Sequence, residues 1–279
     1  MSSPPRICVC GSSTKPLYGE HDLYRCVDCG SMLRASPISE AAASEMYSDA
    51  AYFDPLLKSL DVAGPMKSRW AFDLLSRFET QNDQRLADIG CGAGFLVNAA
   101  RAMGLEAVGF DINEGSLAAA TDRFGSNFHN MADFVGSGPY DFITMTDVLE
   151  HLPNPRLLLD DVRSELRDGG VLLVACPRAD SVTARVFGRR WAQIKTEHEY
   201  YPSKRALLEL LVSAGFVIES AASLRKRVNL GYLAAYSASY TVIHPQVDSY
   251  FRRLPSAVRH WDLHLPGGEQ LVIARRVSA

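Results

Sequence analysis

The sequence has no large excess of charge of either sign, since 29 Lys and Arg residues stand against 32 Asp and Glu residues, a net charge of −3. A domain that binds nucleic acid normally carries a strongly basic face, so a nucleic-acid partner is not expected. Two short basic clusters, Arg189–Arg190 and Arg225–Arg227, are interpreted as solvated surface. Small molecules and proteins therefore remain as the classes of partner.

Long apolar runs are absent as well. No stretch approaches the ~18 consecutive apolar residues of a membrane-spanning helix, and Met1 to Arg6 lack the apolar core of a secretory signal. We therefore expect a cytoplasmic protein with no membrane partner. Internal repeats and low-complexity tracts are also absent. The 279 residues suffice for one large core plus an appendage, because domains usually have ~100–200 residues.

Cysteine is scarce, with six residues in total, but four of them fall near the start of the sequence. Cys26 and Cys29 have the C-x-x-C spacing of a zinc-ribbon knuckle, whereas Cys8 and Cys10 are one residue closer together. In a reducing compartment two close pairs fit a structural zinc site better than disulfides, because four thiolates can close a tetrahedral shell. Either the first turn adapts to its shorter spacing, or His21 replaces Cys8, or the site has decayed.

The most informative motif is the segment Asp88–Phe95, which reads D-I-G-C-G-A-G-F. It joins a short apolar strand to a helix that has apolar residues at helical spacing. The glycines permit positive φ and the close approach of a ligand, and amides at a helix start favour an anionic group. The third glycine comes one position too early for the G-x-G-x-x-G of a dinucleotide site, where Phe95 stands instead. The motif therefore indicates S-adenosylmethionine rather than NAD.

An acidic residue at the end of the next strand supports this interpretation. The apolar strand at 106–110 leads to Asp111, and 111 − 94 places it 17 residues after Gly94. This is close to the ~20 residues at which an acidic side chain meets a ribose hydroxyl in nucleotide-binding folds.

Together these motifs resemble those of class I S-adenosylmethionine-dependent methyltransferases. Tyr140–Pro155 is similar to the fourth-strand segment of the subgroup that includes the ubiquinone-biosynthesis O-methyltransferases, and Leu166–Pro177 is similar to the fifth strand. Glu197–Ser203, followed by Leu207–Phe216, is typical of the same subgroup. The resemblance covers roughly residues 66 to 277. It implies an α/β fold, a Rossmann-like sandwich with a mostly parallel seven-stranded sheet and helices on both faces.

The resemblance also implies ten residues that bind the cofactor. They are, at the methionine end, Arg69, Asp88, Gly90, Cys91 and Gly92; at the ribose, Asp111; at the adenine, Ile112 and Asp133; and near the sulfonium, Asp147 and Val148.

Two histidines are candidates for a catalytic base. Methyl transfer requires an acceptor held in line with the S–CH3 bond and removal of its proton, for which histidine needs the smallest change in pKa. Of seven histidines, His151 and His198 stand within motifs. We expect His198 to face the substrate, whereas His151 is either a base or a helix-start residue that packs under the site.

An alternative for the same region is a magnesium site. Asp147, Glu150 and His151 occupy positions i, i+3 and i+4, which share one face of a helical turn, and two carboxylates with an imidazole could hold Mg2+. In the interpretation that we favour, Asp147 faces the cofactor, Glu150 caps or pairs and His151 packs. A hard cation usually takes more oxygen ligands than these residues provide.

The chain is expected to have three segments. They are a zinc-ribbon-like module at 1–36, a helical lid or linker at 37–85, and an S-adenosylmethionine-binding methyltransferase domain at 86–279. The linker is expected to hold helices at Ile38–Tyr47 and Lys67–Phe78. An insertion at 222–267, with helices at 232–240 and 247–254, is a natural place for substrate selection because inserted loops often carry specificity.

The expected function is methylation of a small molecule, most readily a hydroxyl of a sugar, polyketide, quinone-like or other secondary metabolite, by a monomer or homodimer. One alternative is a methyltransferase that acts on protein or RNA. Another is a non-catalytic module that only binds S-adenosylmethionine. The acceptor atom cannot be read from motifs that describe the donor alone.

Overall fold

The computed structural model describes residues 7–38, 60–229, 255, 258 and 262–278. The chain divides into two compact units. We call Ser44–Ala132 with Arg225–Leu265 the glycine-turn unit. The cysteine unit comprises Met1–Ala43, Asp133–Leu224 and Pro266–Ala279.

Strands and helices alternate through most of the described chain. In order they are β1 (Thr14–Tyr18), β2 (Leu23–Cys26), β3 (Met32–Arg34), α1 (Leu60–Leu75), β4 (Arg85–Ile89), α2 (Phe95–Ala102), β5 (Glu106–Asp111), α3 (Glu114–Phe124), β6 (Phe128–Asn130), β7 (Tyr140–Thr146), α4 (Pro155–Glu165), β8 (Leu166–Pro177), α5 (Val182–Phe187), β9 (Tyr200–Tyr201), α6 (Lys204–Ser213), β10 (Phe216–Asn229) and β11 (Asp262–Arg276).

The glycine-turn unit is built around parallel strand pairs. Strand β5 pairs with β4 on one side, with Asp88 opposite Gly109, and with β6 on the other. Helix α2 follows β4 and buries its apolar face, as its helical spacing requires. Helix α3 begins where the side chain of Asn113 accepts a hydrogen bond from the Ser116 amide at 2.7 Å, a normal N-cap. These elements fix the connections at the ends of β4 and β5.

The cysteine unit contains a four-stranded antiparallel sheet in the order β1-β2-β3-β9. Strand β9 comes from far along the chain, yet Met32 pairs with Tyr201 and Leu33 with Tyr200. All four side chains are buried, and Tyr201 joins a core cluster with Leu23 and Met32. Strands β1 to β3, between Thr14 and Arg34, are therefore part of the fold of this unit through strand pairing.

Seven further strands have the order β10-β11-β8-β7-β4-β5-β6. Strand β8 is parallel to β7 and antiparallel to β11. Strand β7 and most of β8 are almost continuously buried, which is typical of strands covered on both faces. The predicted α/β fold with a mostly parallel seven-stranded sheet is confirmed.

Several predicted boundaries differ from the structure. The helix expected at Lys67–Phe78 is α1, which begins at Leu60 and ends at Leu75. Strands β10 and β11 reach Asn229 and start at Asp262, so both ends of the expected insertion are strand. Regular hydrogen bonding in a β pair continues past the apolar core that periodicity detects. The expected helices at 232–240 and 247–254, and most of the one at Ile38–Tyr47, lie outside the described residues.

Within the described part of the chain, no helix combines the length and the hydropathy needed to cross a membrane.

Candidate functional site

The turn between β4 and α2 adopts a conformation that only glycine takes easily. Gly90, Gly92 and Gly94 have φ values of 69°, 50° and 78°, in the left-handed region where a Cβ is strained. The Gly90 and Cys91 amides donate to the carbonyl of Phe110 at 2.8 and 3.1 Å, which ties the turn to β5. The backbone of the turn is therefore held in one shape by its neighbour strand.

The glycines of this turn differ in what surrounds them. A Cβ on Gly94 would lie 2.7 Å from the ring of Phe128, so the third glycine is needed for close packing. A Cβ on Gly92 would meet no atom of the described residues within 4 Å. Open space beside a backbone of positive φ is what a ligand that approaches the main chain requires.

Asp111 lies beside this turn, at the end of β5. Its Oδ2 accepts from the Gly92 amide at 2.8 Å and its Oδ1 accepts from the Asn113 amide at 2.8 Å. The residue is 6 % exposed, and this burial raises the pKa of the carboxyl while the amide donors oppose the rise. A carboxylate has about four acceptor positions, so Asp111 keeps acceptor capacity for a hydroxyl group beside its amide donors.

Four other predicted cofactor residues of the glycine-turn unit have distinct surroundings. Asp88 is buried in β4. Cys91 is also buried, and this desolvation raises the pKa of its thiol, which therefore stays protonated. Ile112 exposes 50 % of its surface, directly after Asp111. Arg69 is exposed on α1. Asp88, Cys91 and Ile112 are thus within two residues of the groups described above.

The remaining predicted cofactor residues follow strand ends and belong to the cysteine unit. Asp133 is exposed in a short 3-10 turn after β6. Asp147 follows β7 with φ of 56°, and its amide donates to Ala175 of β8 at 2.9 Å. A non-glycine residue in the left-handed region is uncommon and is often found at binding sites. Asp147 is exposed, and Val148 next to it is half-buried.

The two predicted histidines are in direct contact. The rings of His151 and His198 lie 4.8 Å apart and nearly perpendicular. His151 Nδ1 is 3.2 Å from the carbonyl oxygen of Glu197, and burial lowers the pKa of its imidazole. His198 is 2 % exposed and also packs against Tyr201. The motifs identified each histidine separately, and the structure shows that their rings are in contact.

The magnesium alternative finds no support in this arrangement. Among the described residues, the ligand atoms close enough to share an ion here belong to Glu150, His151 and His198, all within 4.8 Å of one another, and Asp147 is not among them. Two imidazoles with one carboxylate suit zinc-like transition metals rather than Mg2+, which takes oxygen ligands. The expected set of Asp147, Glu150 and His151 is therefore not assembled as a group.

The four N-terminal cysteines do form a compact cluster. The Sγ atoms of Cys8 and Cys29 are 3.6 Å apart and those of Cys10 and Cys26 are 3.5 Å apart, and all four lie within 4.8 Å. Sulfurs of a tetrahedral zinc site with Zn–S bonds of ~2.3 Å are separated by ~3.8 Å. Cys8, rather than His21, belongs to the group. The residues thus fit zinc, as the first of the three alternatives for this site requires.

One thiol of the cluster ionises readily. The hydrogen bond from Cys8 lowers the pKa of Cys29 to about 4, and the same contact together with burial raises the pKa of Cys8. Metal ligation requires thiolates. The contact with Cys8 therefore favours the form of Cys29 that metal ligation needs.

Sequence reasoning did not identify the residues that connect the cysteine cluster with the histidines. Arg34 ends β3 and contacts the segment 195–199, and Ser31 bridges Cys29 and Ser203. Neither belongs to a motif. No sequence pattern marks these positions, because the contacts of buried Ser31 and half-buried Arg34 depend on the fold.

Comparisons with known proteins identify the family of this chain. The family described as "Methyltransferase domain" matches residues 64–221, more than half of the chain. A ubiquinone biosynthesis O-methyltransferase of Glaesserella parasuis is 29% identical over 105 residues, which are 33% of this chain and 44% of that protein. The chain spans about half the length of the curated relatives it matches.

Solved structures show the same fold at low identity. The magnesium protoporphyrin IX methyltransferase of Synechocystis PCC 6803, with bound SAH, has a TM-score of 0.57 at 14% identity and covers 85% of this chain and 100% of its own. The cyclase SpnF has a TM-score of 0.59 at 20% identity and covers 87% and 98%. These similarities establish the fold, and the reaction must be inferred from the site residues. The resemblance to class I S-adenosylmethionine-dependent methyltransferases is confirmed.

Proposed function

The chain belongs to the methyltransferase domain family, and from this premise we propose that it transfers the methyl group of S-adenosylmethionine to a hydroxyl oxygen of a small molecule. The proposed binding of S-adenosylmethionine rests on one observation, the contact between Gly92 and Asp111. An open glycine backbone lies within hydrogen-bond distance of a buried carboxylate that keeps acceptor capacity.

The glycine-turn unit supplies the main contacts in this proposal. Asp111 accepts from the ribose hydroxyls, the Gly90–Gly92 backbone and Asp88 lie at the methionine end together with Arg69, and Ile112 covers the adenine. Hydrogen bonds to a charged acceptor are among the stronger ones in proteins. Asp111 is therefore the residue with the largest expected share of cofactor affinity.

The cysteine unit supplies the other proposed contacts. Asp133 accepts from the adenine amine, and Asp147 and Val148 lie near the sulfonium. The left-handed backbone of Asp147 supports a binding role, because a strained residue persists only where its surroundings hold it. When bound, the cofactor supplies an already activated methyl group, so the chain itself needs to position the acceptor and move one proton.

We propose that His198 takes that proton and that His151 orients the ring of His198. The edge-to-face contact fixes the two rings relative to each other, and the carbonyl of Glu197 accepts from His151 Nδ1–H in the tautomer that this role needs. Burial lowers the pKa of His151, which keeps this ring neutral near neutral pH. A neutral neighbour leaves His198 able to accept a proton without repulsion between two imidazolium ions.

The proposed small-molecule acceptor has two supports. The curated relative is named for ubiquinone biosynthesis and the Synechocystis neighbour for magnesium protoporphyrin IX, both small molecules. The net charge of −3 argues against RNA. Methylation of a protein remains the alternative acceptor class, and a neighbour titled as a cyclase means that methyl transfer must be measured rather than inferred from the fold.

The experiment has a binding arm and a transfer arm. Calorimetry with S-adenosylmethionine measures cofactor affinity in the purified chain. Mass spectrometry then screens phenols, sugars and polyketide hydroxyls, with a pool of proteins as the comparison, for the mass gain of one methylene group. A gain on a hydroxyl compound supports the proposal. Cofactor binding with a gain only on protein, or with no gain anywhere in the panel, contradicts the proposed acceptor class.

We also propose that the cysteine cluster holds a structural zinc ion within a zinc-ribbon-like module at 1–36. The S···S distances of 3.5 and 3.6 Å support tetrahedral ligation. Thiols stay reduced in the cytoplasm, where we propose that the chain acts. Metal analysis of the purified protein tests this, since about one zinc per chain is expected for a site with a single ion, and zinc content near zero contradicts it.

A further inference from the structure

Arg34 reaches from the cysteine module to the segment that carries His198. Its Nη2 donates to the carbonyl of Lys195 at 2.7 Å and its Nε to the carbonyl of His198 at 3.4 Å, while its Nη1 donates to the carbonyl of His21 at 3.3 Å. Its side chain is only 14% exposed. A guanidinium is a rigid planar fork, so these bonds fix the two carbonyls of the 195–198 turn relative to β3.

The backbone of Arg34 attaches to the same segment. Its amide donates to the carbonyl of Glu199 at 3.0 Å, and its Nε lies 3.9 Å from the Glu199 carboxylate. Glu199 in turn donates its amide to the carbonyl of Glu150 at 2.8 Å. The segment therefore lies between β3 on one side and the Glu150–His151 turn on the other.

The cysteine cluster is connected to this arrangement through Ser31. Its hydroxyl lies 3.2 Å from Cys29 Sγ, to which it donates when that sulfur is a thiolate, and it accepts from the Ser203 amide at 3.0 Å. Ser203 is also the N-cap of α6. Ser31 thus connects the cluster both to β3, which it directly precedes and which ends at Arg34, and to Ser203, two residues after β9.

We propose that Arg34 is the positioning residue for His198, and that the cysteine module therefore belongs to the acceptor side of the reaction rather than to a separate binding function. The inference rests on the proposed function, in which His198 takes the acceptor proton. A misplacement of about 1 Å in a catalytic group can reduce turnover ~100-fold, and Arg34 holds the main chain of this residue itself.

The first test measures position without any acceptor. Diethyl pyrocarbonate modifies accessible imidazoles, and His198 is buried. In Arg34→Ala we expect modification of His198, mapped by peptide mass spectrometry, and hydrogen exchange of the 195–199 amides to accelerate by ~10-fold or more. Arg34→Lys retains the stem and the charge but not the fork, and is expected to fall between wild type and Arg34→Ala.

The control is Arg205→Ala. Arg205 joins the same module to α6 through an ion pair with Asp28 at 2.7 Å, with both side chains about half exposed, and it pairs with Glu209 of α6 at 3.7 Å. We expect wild-type protection of His198 in this variant. Thermal unfolding and zinc content identify any variant that does not fold. If Arg34→Ala does not fold, the same measurements on Arg34→Lys provide the test.

The second test separates this inference from the proposed function. On the acceptor found in the methylation screen, Arg34→Ala is expected to lower kcat by ~10–100-fold with an unchanged Kd for S-adenosylmethionine. Loss of turnover in His198→Ala but not in Arg34→Ala overturns the positioning role alone. Full turnover in His198→Ala overturns the base role on which the inference rests. Unchanged His198 protection in both Arg34 variants also overturns the inference.

Discussion

The two units of this chain assemble their candidate groups in opposite ways. In the glycine-turn unit, Gly92 and Asp111 meet because one strand–turn–helix–strand unit brings the ends of neighbouring parallel strands together. In the cysteine unit, Cys29, Ser31 and Ser203 are connected although 172 residues separate the last two. The proposed donor side is thus encoded by a local motif, and the proposed acceptor side by long-range strand pairing. A local motif depends on neighbouring segments alone, whereas the long-range arrangement depends on the fold of the whole unit.

The largest expected effect concerns the carboxylate of the local motif. Asp111→Ala removes an acceptor for the ribose and leaves two buried amides without their acceptor. We expect the affinity for S-adenosylmethionine to fall by ~10–100-fold, as for the loss of a hydrogen bond to a charged group. Calorimetry measures the change, with the exposed Asp122→Ala as the matched control. Equal affinities in the two variants contradict the role of Asp111.

The next effect tests whether the long-range arrangement depends on a metal. Cys29→Ser removes one of four clustered thiols, and we expect loss of zinc together with a decrease in Tm of ~5–10 °C. The affinity for S-adenosylmethionine should remain, since the glycine-turn unit keeps its own contacts. Cys176→Ala, outside the cluster, should retain zinc. If Cys29→Ser retains zinc, or if it loses affinity for S-adenosylmethionine, the proposed independence of the two units is contradicted.

A smaller effect separates backbone strain from ligand contact. Gly92 and Gly169 both have positive φ, and a Cβ on either would meet no atom of the described residues within 4 Å. Both Gly→Ala changes should therefore cost a similar ~1–2 kcal/mol of stability. Only Gly92→Ala should weaken cofactor binding, by about 10-fold, because its Cβ enters the space proposed for the ligand. Chemical denaturation and calorimetry measure the two quantities, and parallel loss of affinity in both variants refutes the assignment.

The smallest effect is a dependence of stability on pH. Burial lowers the pKa of His151 below its ordinary value of 6.5, so the unfolded chain binds this proton more readily than the folded chain. Stability from this group is therefore full above pH 6.5 and decreases as the pH falls from 6.5 towards the lowered value. His151→Gln should flatten this acid-side loss in thermal unfolding, whereas exposed His129→Gln should not. An unchanged pH profile in His151→Gln contradicts the prediction.

The contrast between the units also explains which features were predictable. The turn at Gly90–Gly94, its flanking strands and Asp111 follow from spacing and apolar periodicity alone, because each partner is local. The cysteine cluster was predictable as four residues, but not the choice of Cys8 over His21, which depends on the fold of the hairpin. The contact between His151 and His198 and the role of Arg34 were not predictable, since they require the pairing of β3 with β9. A two-residue strand carries no periodic signal of its own.

The most direct test of the division between donor and acceptor sides is a comparison of His198→Ala with Asp111→Ala. Each variant is incubated with S-adenosylmethionine that carries a deuterated methyl group and with the acceptor from the screen, and cofactor Kd and label transfer are measured in parallel. We predict that His198→Ala binds the cofactor as the wild type does but loses transfer, whereas Asp111→Ala loses cofactor affinity. Transfer at the wild-type rate in His198→Ala, or equal loss of cofactor affinity in both variants, would contradict the proposed division.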